Sequence, residues 1–397
     1  MLLTSIITSD ALVGCVFLVV IALVSLRLLP VHFISEWGDA APSVSIAATA
    51  YDLYEKVSKS SARKARTTFH SGVLKAGSTK WIADEIGYAE KLERFERAIE
   101  VNAVVSSEIS KLATTNDKTS PGGNHKRMDR VAGDVPDVGV EDHAKVREAL
   151  KHFVRDWSEE GRRERSKAFG LVLDALQRLE SDVSRRREKR LLVPGAGLGR
   201  LAWEISQLGF DTTANERSHF MNLALKFLLS PQTTREVNQH KLHPFIHWWS
   251  HQRSTSSTFR QVSFPDVVPR LSDTFHLAEG DFFKLSASWS YVVTLFFIDT
   301  SLNVIKTIQH IYSLLEPGGV WINLGPLLWA SSGVALELSL DEVLQVAELV
   351  GFELLPVNES GESVSMVECE YTSDPEAMMR WLYAAAFWIA RKPVSSN

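Results

Sequence analysis

Apolar and polar positions alternate most informatively at residues 190–216, RLLVPGAGLGRLAWEISQLGFDTTANE. Leu191, Leu192 and Val193 form a short, wholly apolar run of the kind buried in a parallel sheet. A glycine-rich turn follows, then apolar residues recur at helical spacing over 200–208 until Gly209 stops them, and a second strand leads to Asn215-Glu216. The same alternation continues downstream. Residues 218–229 read as a helix, 261–269 as an extended loop and 275–278 as a strand. The nearly unbroken apolar run YVVTLFFI at 291–298 predicts a strand ending at Asp299-Thr300, followed by a helix over 301–315. After Glu316-Pro317-Gly318-Gly319 come a strand at 320–324, a helix at 340–350, and strands at 353–356 and 387–391. Strands alternating with helices predict an α/β fold with a mostly parallel sheet.

The preceding part of the chain, nearly half of it, carries helical periodicity instead. Residues 43–111 read as helices with Tyr51, Leu53, Tyr54 and Val57 among the apolar positions, and 81–103 continues that pattern. Residues 114–140 are polar, rich in Gly and Pro and without period, which marks a linker. Helical pattern resumes over 142–179, where the charged run 159–167 reads as an exposed face. Near the start, residues 11–26 form a charge-free apolar stretch of 16 residues, short of the ~20 that span a bilayer. Three readings stand open: a membrane anchor through residues 11–34, a buried helix, and an N-terminal stretch introduced by an imperfect gene boundary. As an anchor it would leave Arg27, Lys56, Lys59, Arg63 and Lys64 on its C-terminal side and the main body facing the cytosol. The expected organisation is a hydrophobic segment at 1–40, a helical region at 41–113, a linker at 114–141 and the α/β domain at 142–397.

Composition narrows the function classes. A net charge of −5 and a pI near 6.2 exclude a general nucleic-acid binder. Two cysteines, Cys15 and Cys369, give neither a disulfide framework nor a metal set. His243, His247 and His251 share helical spacing, but Pro244 interrupts it and no fourth ligand is apparent, so no metal is expected.

The glycine turn selects the cofactor. Gly195, Gly197 and Gly199 form G-x-G-x-G, more compact than the G-x-G-x-x-G that cradles a dinucleotide pyrophosphate. This spacing suits S-adenosylmethionine (SAM), and Glu216 stands where a carboxylate would grip ribose hydroxyls. At the next strand end, Asp281-Phe282 would hold an adenine by its amino group and ring face. Arg155, on the helix ahead of the first strand, is placed to meet a methionine carboxylate. The PGG-then-strand pattern also disfavours a nicotinamide-dependent oxidoreductase. A binding protein that kept the fold without turnover is the other alternative.

Taken together, HFVRDWSEEGRRER, LLVPGAGLGRLAWEISQLGF, Asn215-Glu216, FPDV, EGDF, FFIDT, LEPGGVWINLGPLL and the terminal ARKP resemble the carnosine N-methyltransferase family in order and spacing. The resemblance implies a class I, Rossmann-like methyltransferase fold, a seven-stranded mostly parallel sheet with an added helical N-terminal region. It implies SAM contacts from His152, Arg155, Gly195, Gly197, Gly199, Glu216, Asp281, Phe282 and Leu295. Asp299 would be the catalytic residue, facing the imidazole of a histidine-containing dipeptide or of a protein histidine, with Tyr371, Trp381 and Tyr383 also on the substrate. A cytoplasmic enzyme acting on a small molecule or peptide is implied, with a nuclear location and a homodimer open. From residue type alone Asp299 has a second reading, as the N-cap of the following helix. Three positions depart from the family: His152 replaces a glutamine, Trp329-Ala330 replaces Tyr-His, and Trp381-Leu382-Tyr383 replaces a tyrosine-rich run.

Overall fold

The computed structural model describes residues 43–73, 79–115, 137–286, 288–330 and 333–394. Residues 1–42, with the apolar stretch 11–34, and most of the linker lie outside these. Among the described residues, five α-helices come first: α1 (Val44–Thr68), α2 (Lys80–Glu85), α3 (Tyr88–Thr115), α4 (Val140–Trp157) and α5 (Arg162–Leu179). The Ser43 side chain accepts the Ile46 N–H at 3.3 Å and so starts α1. Where periodicity predicts one continued helix over 81–103, Gly87 takes φ +65° and divides α2 from α3.

The stretch expected as one helix over 142–179 is likewise two. The Ser158 hydroxyl donates to the Val154 carbonyl at 2.6 Å, and Gly161 packs on the end of α4 so closely that a Cβ would clash with the Val154 and Arg155 carbonyl oxygens. Arg165 then reaches back and donates to the Arg155 and Ser158 carbonyls at 2.7 and 2.8 Å, satisfying acceptors that the helix end leaves open. The charged run is therefore only partly an exposed face: Arg165 is 4% exposed, and the Glu164 side chain 10%.

The remaining elements are β1 (Arg190–Pro194), α6 (Arg200–Gln207), β2 (Asp211–Glu216), α7 (His219–Leu229), β3 (His240–Leu242), α8 (Thr255–Thr258), β4 (Val262–Phe264), β5 (Phe275–Glu279), β6 (Trp289–Leu295), α9 (Val304–Leu314), β7 (Leu315–Gly325), α10 (Leu340–Val350), β8 (Glu353–Leu355), β9 (Val364–Glu370) and β10 (Leu382–Arg391). The main sheet runs β5-β2-β1-β6-β7-β10-β8, with β9 pairing the first part of β10. β1, β2, β5, β6 and β7 pair in parallel and β10 runs antiparallel to its neighbours. The chain winds outward from β1 to β5, then returns to β6 and winds the other way. That reversal opens a crevice at the carboxyl ends of β1 and β6.

Four sequence expectations are corrected. β9 makes the sheet eight-stranded; its side chains are mostly half-exposed, so it lacks the apolar run that betrays a buried strand. β10 begins five residues before 387 because β9 extends it. Part of the supposed loop 261–269 is β4, which pairs with β3 as a separate ribbon. The strand at 291–298 stops at Leu295, because Phe296 turns to φ +50° and a 3₁₀ turn covers Ile298–Thr300.

Apolar faces join the layers. Tyr51 of α1 is 1% exposed and donates its hydroxyl to the Phe220 carbonyl of α7 at 3.0 Å. Asp266 ties α4, α5 and α6 together. Its Oδ2 accepts from Arg165 Nη2 and its Oδ1 from Arg200 Nη1, both at 2.6 Å, and its N–H donates to the Trp157 carbonyl at 2.8 Å. All three charged side chains are at most 9% exposed. Removing one partner of such a buried set strands the other charges. Asp266→Ala should therefore destabilise the fold by roughly 3–5 kcal/mol, read as a lowered midpoint in urea denaturation; an unchanged midpoint would show that water already screens this centre.

Candidate functional site

The site is built on the carboxyl ends of β5, β2, β1 and β6. β1 ends in a turn that only glycine fits at residue 195, where φ is +63° and a Cβ would lie 2.6 Å from the Phe297 ring. The turn is latched to β2 through Glu216, whose Oε2 accepts the Gly197 N–H at 2.8 Å and whose Oε1 accepts the Ser218 N–H at 2.8 Å. Gly199, also at positive φ, opens α6. The Asn215 amide donates to the Ala278 and Gly280 carbonyls at 2.8 and 3.0 Å and so fixes the end of β5 beside β2. There Asp281 accepts the Phe283 N–H at 3.0 Å. Phe282 is 1% exposed and lies edge-on to Phe297 and His310, with centroids 5.4 and 4.7 Å apart. Its ring is a core wall, so the expectation that it presents a face to an adenine is corrected; the neighbouring Phe283 ring is the exposed one.

α4 brings two further expected residues to this edge. His152 is 7% exposed, with Nδ1 2.9 Å from the Glu148 carbonyl and Nε2 3.2 Å from the Tyr371 hydroxyl. The carbonyl requires Nδ1–H, so Nε2 accepts from Tyr371, and burial holds the imidazole below its usual range and neutral. Arg155 donates from Nε to Glu164 at 3.0 Å, sits 3.2 Å from Asp156, and lies 4.4 Å over the Tyr371 ring. Burial alone would weaken its hold on the proton, but Asp156 and Glu164 more than offset that and keep it charged.

Across the edge, Asp299 sits in the 3₁₀ turn and is 1% exposed. Its Oδ2 accepts the Leu328 N–H at 3.1 Å, while Oδ1 is buried with no hydrogen-bond partner. Burial pushes its carboxyl up to about 7, only partly opposed by the Leu328 N–H. The capping alternative is excluded, because Asn303 caps α9 by accepting the Lys306 N–H at 3.1 Å. The Tyr383 hydroxyl is pushed up by burial and by the Asp299 charge, which puts the two within electrostatic reach. Tyr371 and Tyr383 both pack on Phe296, at 4.9 and 5.7 Å between centroids. Trp381 lies at the rim, 42% exposed, and Leu295 ends β6. Where the family carries Tyr-His, the Trp329 indole donates to the Leu338 carbonyl at 2.9 Å and Ala330 is exposed. The three histidines do not converge: His243 bonds the Phe259 carbonyl, His247 bonds Tyr54, and His251 takes φ +58° in a turn.

Sequence reasoning missed Phe296, Phe297, Glu164 and Asp266. The first two are hidden in an apolar run that reads as strand, the third in a charged run. Asp266 lies within the quoted FPDV, which gives its position but not its partners.

A doubly wound sheet of this order, with a compact glycine turn latched to an acidic strand end, defines a class I SAM-dependent methyltransferase. Residues 133–394 match the family described as carnosine N-methyltransferase. The protein belongs to that family. The mouse carnosine N-methyltransferase is 35% identical over 293 residues, 71% of this chain and 71% of its own length. The Schizosaccharomyces pombe carnosine N-methyltransferase is 33% identical over 328 residues, 77% of this chain and 83% of its own. Among solved structures, magnesium protoporphyrin IX methyltransferase from Synechocystis aligns at 11% identity and TM-score 0.33, over 66% of this chain and 91% of that one.

The Asp299 environment has a consequence for stability. Folded, the carboxyl holds its proton up to about 7; unfolded, it releases it near 3.8. The folded chain thus binds more protons between those values, and stability falls as pH rises through the window. Asp299→Asn should remove that slope and exceed wild-type stability above pH 7 by on the order of a few kcal/mol, with the gap closing below about pH 4. Urea titrations across pH check this; parallel curves would mean that Asp299 ionises normally.

Proposed function

We propose that the protein transfers a methyl group from SAM to an imidazole nitrogen of a small histidine-containing peptide, carnosine or a close relative. The observation that carries this reading is the buried, unpartnered Oδ1 of Asp299 in the 3₁₀ turn that follows β6 at the crevice edge. A lone acceptor in that position calls for an N–H donor from a ligand.

The residues present fit the donor. Glu216 accepts ribose hydroxyls while the Gly197 and Ser218 N–H groups hold its orientation. Arg155 keeps donors beyond the Nε spent on Glu164 and takes the methionine carboxylate. Asp281 stands at the adenine end, and SAM supplies an electrophilic methyl. A neutral imidazole nitrogen is already nucleophilic, so the chain's task is orientation. Asp299 accepts the ring N–H distal to the attacking nitrogen, which selects the tautomer and stabilises the positive charge that grows on the ring. Tyr371, Tyr383 and Phe296 supply the aromatic wall.

Trp329 and Ala330 favour a second acceptor within the same chemistry, since the family's substrate-facing histidine has no counterpart here; a protein histidine is that alternative. Transfer of labelled methyl from SAM to a panel of histidyl dipeptides and histidine-bearing proteins separates the two. In single-turnover transfer, Asp299→Asn should cost roughly 10²–10³-fold in rate while SAM affinity measured by calorimetry stays within about twofold of wild type. Full activity in that variant would reduce Asp299 to a structural residue.

We place the enzyme in the cytoplasm, with residues 11–34 as a membrane tether. No helix of the described residues is long and apolar enough to cross a membrane, so tethering rests on that stretch alone. A chain beginning at Ser43 should be released from membranes in fractionation, remain folded and bind SAM as the full chain does. Loss of folding on deletion would make the stretch a core helix.

A further inference from the structure

Glu164, on the first turn of α5, joins two parts of the site that lie far apart in the chain. Its side chain is largely buried. Oε1 accepts the Arg155 Nε–H at 3.0 Å and the Thr372 N–H at 2.8 Å, and Oε2 accepts the Ser373 N–H at 3.2 Å. Burial raises this carboxyl above its usual range, and Arg155 with the two backbone donors pulls it back. One carboxylate thus holds both the arginine placed at the methionine carboxylate and the turn after β9 that carries Tyr371.

The two parts it holds also touch each other. The Arg155 guanidinium lies 4.4 Å over the Tyr371 ring, and that ring packs on Phe296 at 4.9 Å on the acceptor side. Neither partner of Glu164 is relaxed. Thr372 takes φ +47°, which a β-branched residue seldom adopts and which its surroundings have to enforce. The Glu164 oxygens supply that enforcement. Asp156 Oδ1 lies 3.2 Å from Arg155 Nη1 yet accepts no hydrogen bond, so the guanidinium is aligned on Glu164 and not on its sequence neighbour. A ligand carboxylate on the Nη groups competes for that alignment, and Glu164 passes any shift of the guanidinium to residues 371–373. A strained turn that both ligands can bias is the physical element that coupling between sites requires.

We propose that Glu164 is a positioning residue that couples the two ligands of the reaction. The cofactor's carboxylate on Arg155 sets, through Glu164, the turn that places Tyr371 against the acceptor, and by linkage the acceptor tightens the cofactor by the same factor. Glu164 acts through these neighbours and touches neither ligand. The assignment rests on the reading of the site as an imidazole methyltransferase with Arg155 at the methionine end, and adds that cofactor and acceptor strengthen each other's binding.

The test measures carnosine binding to the full chain by calorimetry, alone and with saturating S-adenosylhomocysteine or methylthioadenosine. The latter keeps the adenosine and the sulfur and lacks the amino-acid carboxylate. S-adenosylhomocysteine should tighten carnosine roughly 10-fold or more, an ordinary coupling between sites, and methylthioadenosine by less than about twofold. Glu164→Gln keeps the size but gives up the charge and one acceptor oxygen, and should bring the first factor below about threefold. A purely structural loss would lower the thermal midpoint and both single-ligand affinities without changing the ratio between free and loaded protein. The wild-type comparison serves if the variant fails to fold. Equal tightening by the two nucleosides overturns the proposal, and so does a Glu164→Gln protein that keeps the full factor. Tightening that needs both the carboxylate and Glu164, without methyl transfer from SAM, would uphold the coupling and remove the proposed reaction; methyl transfer without such tightening would do the reverse. Carnosine binding in none of the three states overturns both.

Discussion

The Asp266 carboxylate, shared between Arg165 and Arg200, is the contact on which the site's geometry depends. It joins three segments far apart in the chain: the corner between α4 and α5, the first turn of α6, and the loop after β4. The Trp157 indole adds a bond to the Leu198 carbonyl at 2.9 Å, and Arg200 donates to the Asp156 carbonyl at 3.0 Å. The end of α4 is thereby pinned to the glycine turn. A buried ion set is weak evidence for net stability, because desolvation offsets much of the attraction. Its contribution here is register: it determines where His152 and Arg155 stand relative to β1.

The parts of the molecule governed by local sequence were readable from it. The apolar run of β1, the glycines after it and Glu216 at the end of β2 each carry their signal within a few residues. The parts governed by distant partners were not. Glu164 and Arg165 look like surface charges until the backbone of residues 372 and 373 and the side chain of Asp266 bury them. Phe282 reads as a ligand-facing ring beside an acid, but Phe297 and His310 enclose it. β9 lies near the sheet's edge with alternating half-exposed residues, so nothing in its hydropathy demanded a strand. Asp299 reads equally as a cap or a ligand group, and only the appearance of Asn303 at the start of α9 decided between them.

Asp299 also shows a conflict between folding and site chemistry. A buried carboxylate with one oxygen left unpaired is a liability for the free chain. Such local inconsistencies concentrate where a structure is shaped for something outside itself. The unpaired hydroxyls of Thr372 and Ser373 are a second instance.

The antiparallel pair β9–β10 stands apart from the strands that carry the glycine turn and Glu216. Tyr371 and Tyr383 belong to this pair or its connection, whereas Gly195, Glu216 and Asp281 belong to the parallel half. The chain's departures around residues 381–383 fall on this pair, which meets the other half through Tyr371 against His152 and Arg155 and through both tyrosines against Phe296. A change in β9 or β10 thus reaches the glycine-turn side only through the few aromatic and imidazole contacts of Tyr371 and Tyr383, which act as a narrow joint between the two halves.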